Sequence, residues 1–164
     1  MTTPMVKAYY QSKLGLIEIT GSEQGLESLY FVADQIAVDL EPSPLLQSCL
    51  SQLDEYFKGT RQDFSLDLAP AGTDFQQRVW TELSKIPYGQ TVSYLDIARA
   101  IGNDKAVRAV GAANGQNPIS IIIPCHRVIG SNGQLTGYGG GLWRKEWLLK
   151  HERAIAFGKQ MELF

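Results

Sequence analysis

The first 70 positions of the chain alternate between apolar and polar residues in a pattern that predicts three strands and one helix. Residues 5–10, 14–20 and 25–32 have strand composition with partial alternation, and turn-forming residues separate them. Between residues 45 and 57 apolar side chains recur at helical spacing, and Gly59 is a typical residue just past a helix end. Residues 64–68 alternate again and predict a further strand, and residues 69–73 have the composition of a linker.

The second half predicts helices around one buried strand. A first helix, which the turn at residues 87–89 ends, has five apolar residues on one face: Phe75, Val79, Trp80, Leu83 and Ile86. Ser93, with Asp96 three positions further on, predicts the start of a second helix, which Gly102 closes. Asn103 or Asp104 is predicted to cap a third helix that runs to about residue 114.

The second and third of these helices resemble a helix-turn-helix, the usual pair for reading nucleic acid, although such pairs also occur in plain bundles. The third helix carries one long cation, Arg108, on a surface of small residues that includes Ala109 and Gly111. Close helix–helix packing would need the same small residues. The functional alternative is a helix pressed into a narrow DNA groove, with Arg108 reaching into the base stack.

These elements predict an α+β fold with two domains. Residues 1–73, including the linker at about 69–73, form a small N-terminal sheet-plus-helix domain, and residues 74–164 form a mainly helical C-terminal domain. The first domain carries four Lys or Arg against ten Asp or Glu, a net charge of −6, and the second carries eleven against seven, a net charge of +4. A polyanion would therefore meet the second domain, unless the asymmetry is ordinary surface scatter.

The composition argues against several classes of protein. There is no uninterrupted apolar run of membrane length and no charged-then-apolar leader, so we expect no membrane partner. Two cysteines in unrelated contexts argue against a disulfide framework and predict a reducing, cytoplasmic location. With two histidines and no His/Cys cluster at zinc-ligand spacing, we expect no metal site.

The strongest chemical signal follows the apolar run at residues 121–124, which predicts a buried strand that ends at the proline. The run leads directly into Cys125, His126 and Arg127. A thiol beside a base and a fixed positive charge can lose its proton near neutral pH, and the thiolate is a nucleophile. The alternative is a small core residue, which is the role we expect for Cys49 in the first helix.

These residues resemble the O6-alkylguanine-DNA alkyltransferases, also called methylated-DNA–protein-cysteine methyltransferases. The resemblance covers most of residues 75–152, in order and at matching spacing, and the first domain is compatible with the variable N-terminal domain of the family. The motifs that carry it are the segment 75–98 (FQQRVWTELSKIPYGQTVSYLDIA), Asn117-Pro118, Pro124-Cys125-His126-Arg127, Gly139-Gly140-Gly141-Leu142 and Lys145-Glu146-Trp147-Leu148-Leu149.

The resemblance implies a DNA repair enzyme that works once. Members of this family bind duplex DNA through the minor groove, flip the damaged base out and transfer the alkyl group of O6-alkylguanine to a cysteine. The position of that acceptor is Cys125 here, the product is permanent, and no cofactor is needed. The resemblance also implies O4-methylthymine as a poorer substrate and a monomeric protein.

The family pattern also implies roles for other residues. His126 and Glu152 form a relay that deprotonates the cysteine, and Tyr94 crowds the phosphate and assists at guanine N3. The implied DNA-binding residues are Arg108, Ser93, Ala109 and Gly111, and the implied pocket residues are Asn117, Val128, Tyr138 and Gly139. Without the resemblance, His126 could equally be a satisfied buried histidine. Asn117 could be a turn former, a role compatible with the family one, and Glu152 would be expected to be a solvated glutamate near a helix end.

Some positions depart from the family pattern, and two other functions remain as alternatives. Ser120 replaces a frequent proline, and Asn114 and Gly115 are smaller than in some relatives, which leaves the pocket size open. A non-catalytic module that recognises alkyl lesions is the first alternative, which the presence of Cys125 disfavours. A Cys-His hydrolase is the second, and it would leave the helix-turn-helix unexplained.

Overall fold

A computed structural model describes residues 5–33 and 43–153 of the chain. Contacts between Cα atoms divide the protein into two compact units, Met1–Ala71 and Gly72–Phe164. No helix among the described residues combines the length and the apolar character that crossing a bilayer requires.

The first unit contains a three-stranded antiparallel sheet in the order β1-β2-β3. The strands are β1 (Val6–Ser12), β2 (Gly15–Ser22) and β3 (Gly25–Val32), so the three predicted strands are confirmed with boundary shifts at the first two. Pairing aligns Ala8 with Ile19 and Ile19 with Leu29. These three side chains are buried, so they form the apolar face of the sheet.

Helix α1 (Pro44–Lys58) covers this sheet. It begins where the Ser43 side chain accepts a hydrogen bond from the Leu45 amide, and it ends at Gly59, whose φ of 82° suits a left-handed cap. Its buried face includes Leu46, Cys49 and Leu53. The burial of Cys49 confirms the predicted core role of this cysteine, and it raises the pKa of the thiol to about 12.

The predicted strand at residues 64–68 is wrong. The side chain of Gln52 on α1 forms hydrogen bonds with both backbone groups of Ser65. Its Nε2 donates to the Ser65 carbonyl at 3.1 Å, and its Oε1 accepts from the Ser65 amide at 2.8 Å. Only Leu68 makes a ladder contact, an isolated parallel bridge to Leu26. The alternation along the segment therefore reflects one-sided burial, and at Ser65 a side chain takes the place of a partner strand.

Residues 72–153, the part of the second unit that the structure describes, contain four helices and one short parallel strand pair. The helices are α2 (Asp74–Leu83), α3 (Tyr94–Ala100), α4 (Val107–Gly115) and α5 (Leu142–His151), and β4 (Val92–Ser93) pairs with β5 (Val128–Ile129). Ser93 and Asp96 form the predicted capping box at the start of α3. Trp80 on α2 donates from its indole nitrogen to the Ala113 carbonyl at 2.8 Å, which ties α2 to α4. A helical domain with a helix-turn-helix (α3 and α4) is therefore confirmed.

Two predicted helix ends are wrong. Helix α2 ends at Leu83 rather than at the turn of residues 87–89, and Ile86 stays buried in the connecting turn. Helix α4 begins at Val107 with Ala106 at its N-cap, so neither Asn103 nor Asp104 caps it. The Asn103 side-chain oxygen instead accepts from the Lys105 amide in the turn between the helices. Gly102, with a φ of 83°, provides the left-handed residue that ends α3 and opens this turn.

The predicted buried strand at residues 121–123 is also wrong. Ile121 has a φ of 74°, a left-handed conformation that a β-branched residue rarely adopts and that a strand does not contain. The chain instead folds into a buried turn in which Asn117 donates to the Ile123 carbonyl at 2.8 Å and accepts from the Ile119 amide at 2.9 Å. These residues are apolar because the turn is enclosed on all sides.

Candidate active site

Cys125 lies at the start of a single 3-10 turn, Cys125–Arg127, between the buried turn and β5. Its side chain is buried, with 5% of the residue exposed. Burial raises the pKa of the thiol, while a hydrogen bond from the Asn117 side chain and the positive charge of Lys145 act in the opposite direction. The resting group is therefore a thiol whose neighbours favour the thiolate.

His126 and Glu152 form a fully buried pair. Nε2 of His126 lies 2.8 Å from Oε2 of Glu152, and neither side chain is exposed to solvent. An ionised carboxylate can only accept, so Nε2 carries the proton and Nδ1 is the free acceptor of the ring. Nδ1 is buried and has no hydrogen-bond partner among the residues that the structure describes. This nitrogen is therefore available to take a proton.

Arg127 holds the same carboxylate from the other side. Its Nε and Nη2 atoms donate to the two oxygens of Glu152 at 2.7 and 3.0 Å, and Nη1 donates to the Ile86 carbonyl at 2.6 Å. Burial alone would raise the pKa of Glu152, but His126 and Arg127 together outweigh it and hold the pKa well below its usual value. Glu152 is thus a permanent anion at neutral pH.

Arg127 forms its ion pair with Glu152 and not with the Cys125 thiolate. This corrects the expectation that the positive charge next to Cys125 in the sequence promotes ionisation of the thiol. Burial lowers the pKa of His126, and the charges of Arg127 and Lys145 add to this, while Glu152 raises it. The net shift is downward from 6.5, so the imidazole is neutral at pH 7 and can act as a base.

The cation whose charge acts on Cys125 is Lys145 on α5, a residue that the sequence indicated only as part of a family motif and without a role. Its side chain is fully buried, and Nζ donates to the carbonyls of Val128 and Thr136 at 2.6 and 2.7 Å. Burial lowers the pKa of Lys145 to about 8, and the neighbouring Cys125 opposes this shift. A signal was present in the sequence, because Lys145 precedes the buried Leu148 and Leu149 by three and four residues on one helical face.

The predicted pocket residues fall into two groups. Asn117 and Val128 are buried beside the cysteine turn, and the Tyr138 hydroxyl is buried as well. Burial, followed by the proximity of Cys125, raises the pKa of Tyr138 well above its usual value, so the phenol stays neutral. Gly139 is exposed, and a Cβ there would meet no atom within 4 Å. The loop of residues 130–141 thus brings a neutral hydroxyl, rather than a charge, near the sulfur.

The predicted DNA-binding residues lie on α3 and α4, outside the buried cluster. Arg108 and Ala109 are exposed, and Gly111 is half-buried. A Cβ on Gly111 would have a single neighbour within 4 Å, the Tyr94 Cδ1 at 3.9 Å, so close helix packing does not require this glycine. Ser93 has a structural role as the N-cap of α3, where its side chain accepts from the Asp96 amide. Tyr94, the first residue of α3, is half-buried.

Two models of known protein families match the chain, one in each of its two compact units. Residues 74–154 match the DNA binding domain of 6-O-methylguanine DNA methyltransferase, and residues 5–70 match the ribonuclease-like domain of the same family. The chain belongs to the 6-O-methylguanine DNA methyltransferase family. The predicted family resemblance is thereby confirmed.

Individual members of this family are similar over nearly the whole chain. The methylated-DNA–protein-cysteine methyltransferase of Methanosarcina acetivorans is 47% identical over 153 residues, which cover 90% of this chain and 98% of that protein. The crystal structure of the Mycobacterium tuberculosis O6-methylguanine methyltransferase superposes with a TM-score of 0.82 at 43% identity, covering 98% of this chain and 99% of that one. The M. tuberculosis OGT in complex with DNA gives a TM-score of 0.80 at 46% identity, covering 89% and 91% of the two chains.

Proposed function

We propose that this protein repairs DNA by transferring the alkyl group of O6-alkylguanine in a duplex to Cys125, once per protein molecule and without a cofactor. The observation that carries the proposal is the buried cluster of Cys125, His126 and Glu152 in the same unit as a helix-turn-helix. The named relatives support the reaction type, and the M. tuberculosis complex with DNA supports the partner. O4-methylthymine is a second, poorer substrate in this proposal.

The proposed reaction is a displacement at the alkyl carbon. His126 accepts the thiol proton at Nδ1, directly or through one water, and the Lys145 ammonium stabilises the thiolate. The new sulfur–carbon bond forms as the carbon–oxygen bond breaks, and the guanine oxygen keeps the electron pair. Guanine then regains a proton at N1, so the proton that Cys125 loses balances the one that the base gains.

Glu152 acts on His126 rather than on the substrate. Its negative charge stabilises the imidazolium that forms when the thiol is deprotonated, and its hydrogen bond to Nε2 keeps Nδ1 directed away from the carboxylate. Arg127 keeps Glu152 ionised throughout. The product is a thioether, which has no good leaving group, so the proposal predicts no turnover.

The DNA in this proposal lies against α4 from its minor-groove side. The small exposed residues Ala109 and Ala112, together with Gly111, allow the helix backbone to approach the sugar-phosphate walls closely. Arg108 extends from this surface to fill the space of the flipped guanine, and Tyr94 faces the phosphate and guanine N3. One chain supplies all these residues, so the protein acts as a monomer. Flipping costs a few kcal/mol, which the arginine and the fitted pocket offset in part.

Mass spectrometry of the protein after reaction with a damaged duplex tests the proposal. The wild-type protein is mixed with a duplex that carries one O6-methylguanine, and the peptide containing Cys125 is then weighed. We expect one added methyl group on that peptide, restored guanine in the DNA and no more than one repaired lesion per protein. A Cys125→Ala variant should give none of these products, and Cys49→Ala, which alters only the other cysteine, should react normally.

The same experiment separates the alternatives. A module that only recognises lesions would form a complex with the damaged duplex and leave the Cys125 peptide unmodified. A Cys-His hydrolase would give neither a stable complex nor a methylated peptide.

A further inference from the structure

The Tyr94 side chain is engaged by one residue of the loop 130–141. Its hydroxyl donates to the Thr136 carbonyl at 3.1 Å, and the Thr136 hydroxyl in turn donates to the Tyr94 oxygen at 3.2 Å. Tyr94 opens α3, and Thr136 lies 42 residues further along the chain. The start of the helix-turn-helix is thus joined to the loop that also carries Tyr138.

The Thr136 carbonyl is shared with the buried lysine. Nζ of Lys145 donates to it at 2.7 Å and lies 5.9 Å from the centre of the Tyr94 ring. If the Tyr94 proton leaves this carbonyl for another acceptor, the carbonyl keeps the stronger, charged donor. The exchange therefore leaves no unsatisfied backbone group, and its cost is small.

We propose that Thr136 is a positioning residue that holds the Tyr94 hydroxyl ready to donate to the flipped base. The inference rests on the proposed function. In the free protein the phenol proton points at the Thr136 carbonyl, and on DNA binding it is redirected to guanine N3. The Thr136 hydroxyl donates to the Tyr94 oxygen in both states. A donor on the phenol oxygen polarises the phenol O–H bond and makes its proton a better donor.

The role of the Thr136 hydroxyl can be tested separately from that of the Thr136 carbonyl. Replacing Thr136 with valine removes the hydroxyl and keeps the shape, the β-branch and the backbone carbonyl that Lys145 uses. Thr136→Ser restores the hydroxyl without the methyl group. Thr136 is exposed, so neither change removes a core contact. Any loss that valine causes and serine does not is therefore due to the hydrogen bond to Tyr94.

The experiment measures the single-turnover rate of methyl transfer from duplex O6-methylguanine, at saturating DNA, for a double-mutant cycle. The proteins are the wild type, Thr136→Val, Thr136→Ser, Tyr94→Phe and the double variant Tyr94→Phe/Thr136→Val. Loss of one neutral hydrogen bond predicts that Thr136→Val is about three- to tenfold slower than wild type. Thr136→Ser should stay within about twofold of wild type, and Thr136→Val should cause no further loss once Tyr94 is phenylalanine.

A matched control removes the same hydroxyl elsewhere in the unit. Thr81 is exposed on α2 and donates to the Gln77 carbonyl of the same helix at 2.8 Å. Thr81→Val should react at the wild-type rate. All variants are compared at equal folded fraction, measured by tryptophan fluorescence.

The outcomes distinguish failure of the proposed function from failure of the role of Thr136. If the wild type transfers no methyl group, the proposed function itself fails, and the role of Thr136 fails with it. If the wild type reacts but Thr136→Val matches it, Thr136 has no part in the reaction. If Thr136→Val slows the wild type and the Tyr94→Phe variant equally, the threonine does not act through the tyrosine hydroxyl, and the inference is overturned.

Discussion

The buried carboxylate of Glu152 offers the most direct quantitative test, because two neighbours depend on its charge. We consider Glu152→Gln and Arg127→Gln, singly and together. At position 152, glutamine keeps the volume of glutamate, removes the charge and replaces one acceptor oxygen with an NH2 donor. The Glu152 side chain is fully buried, and only 7% of the Arg127 side chain is exposed.

The expected losses follow from what each change leaves behind. Glu152→Gln leaves a buried guanidinium without its counter-ion, which lowers the free energy of unfolding by about 3–5 kcal/mol. Arg127→Gln leaves the carboxylate without a counter-ion, with the neutral His126 still donating to it. It also removes the 2.6 Å bond to the Ile86 carbonyl, worth about 1 kcal/mol more. The double variant leaves no unpaired charge between the two positions. Its loss should therefore be smaller than the sum of the single losses, by about 2–3 kcal/mol.

Urea denaturation followed by tryptophan fluorescence measures these values in the right part of the protein. All three tryptophans, at positions 80, 143 and 147, belong to the second unit. The signal therefore reports the unit that contains the ion pair. Lys85→Gln breaks an exposed pair with Glu82 and serves as the control, with an expected change below about 1 kcal/mol.

Two results would contradict this reasoning. If the losses of Glu152→Gln and Arg127→Gln add within about 0.5 kcal/mol in the double variant, the two charges do not stabilise each other. If folded Glu152→Gln transfers methyl groups at the wild-type rate, the carboxylate does not assist His126. We expect its rate to fall by about a hundredfold or more, because the base loses its orienting anion.

Three further predictions concern the DNA surface and the histidine. Arg108→Ala should slow repair of duplex DNA at least about tenfold, because no side chain then fills the space that the flipped guanine leaves. The rate of reaction with free O6-benzylguanine should stay within about twofold of wild type. Equal losses on both substrates would exclude this role of Arg108. Gly111→Leu should raise the free energy of unfolding by up to about 1 kcal/mol, because glycine disfavours helices. The larger side chain should nevertheless weaken DNA binding at least about tenfold in a filter or anisotropy assay, because it keeps the α4 backbone away from the DNA. Unchanged binding would show that this face of α4 does not contact DNA. Because the pKa of His126 is lower in the folded protein, the unfolded chain binds more protons than the folded one at this position. The free energy of unfolding should therefore fall as the pH drops below about 6.5. His126→Asn should flatten this dependence in urea titrations, His151→Asn should retain it, and the reverse pattern would contradict the assignment.

Several features of this protein could be predicted from the sequence because they depend on neighbours along the chain. Helix α1 follows from apolar spacing and a following glycine, and α3 follows from the Ser93–Asp96 capping box. The strand β3 has the limits predicted for it, since partial alternation directly after a turn describes a half-buried strand. The reactive character of residues 125–127 was visible in the same way, as a run of polar groups directly after an apolar segment.

Contacts that join distant parts of the chain cannot be predicted from local sequence. The alternation at residues 64–68 is typical of a strand, but the Gln52 side chain on α1 bonds the backbone of Ser65 where a strand would have a partner strand. The apolar run at residues 121–123 looks like a buried strand, but Asn117 and the left-handed Ile121 make it a turn. Periodicity records that a segment is buried and on which side, and it does not record what covers it.

The same reason explains the composition of the site. Glu152 lies 26 residues from His126, and Thr136 lies 42 residues from Tyr94. Nothing in the local sequence distinguishes these two residues from solvated polar ones, and the family resemblance alone pointed to Glu152. A buried charge is stable only where folding brings its partners to it, so the roles of Arg127, Lys145 and Glu152 belong to the tertiary structure.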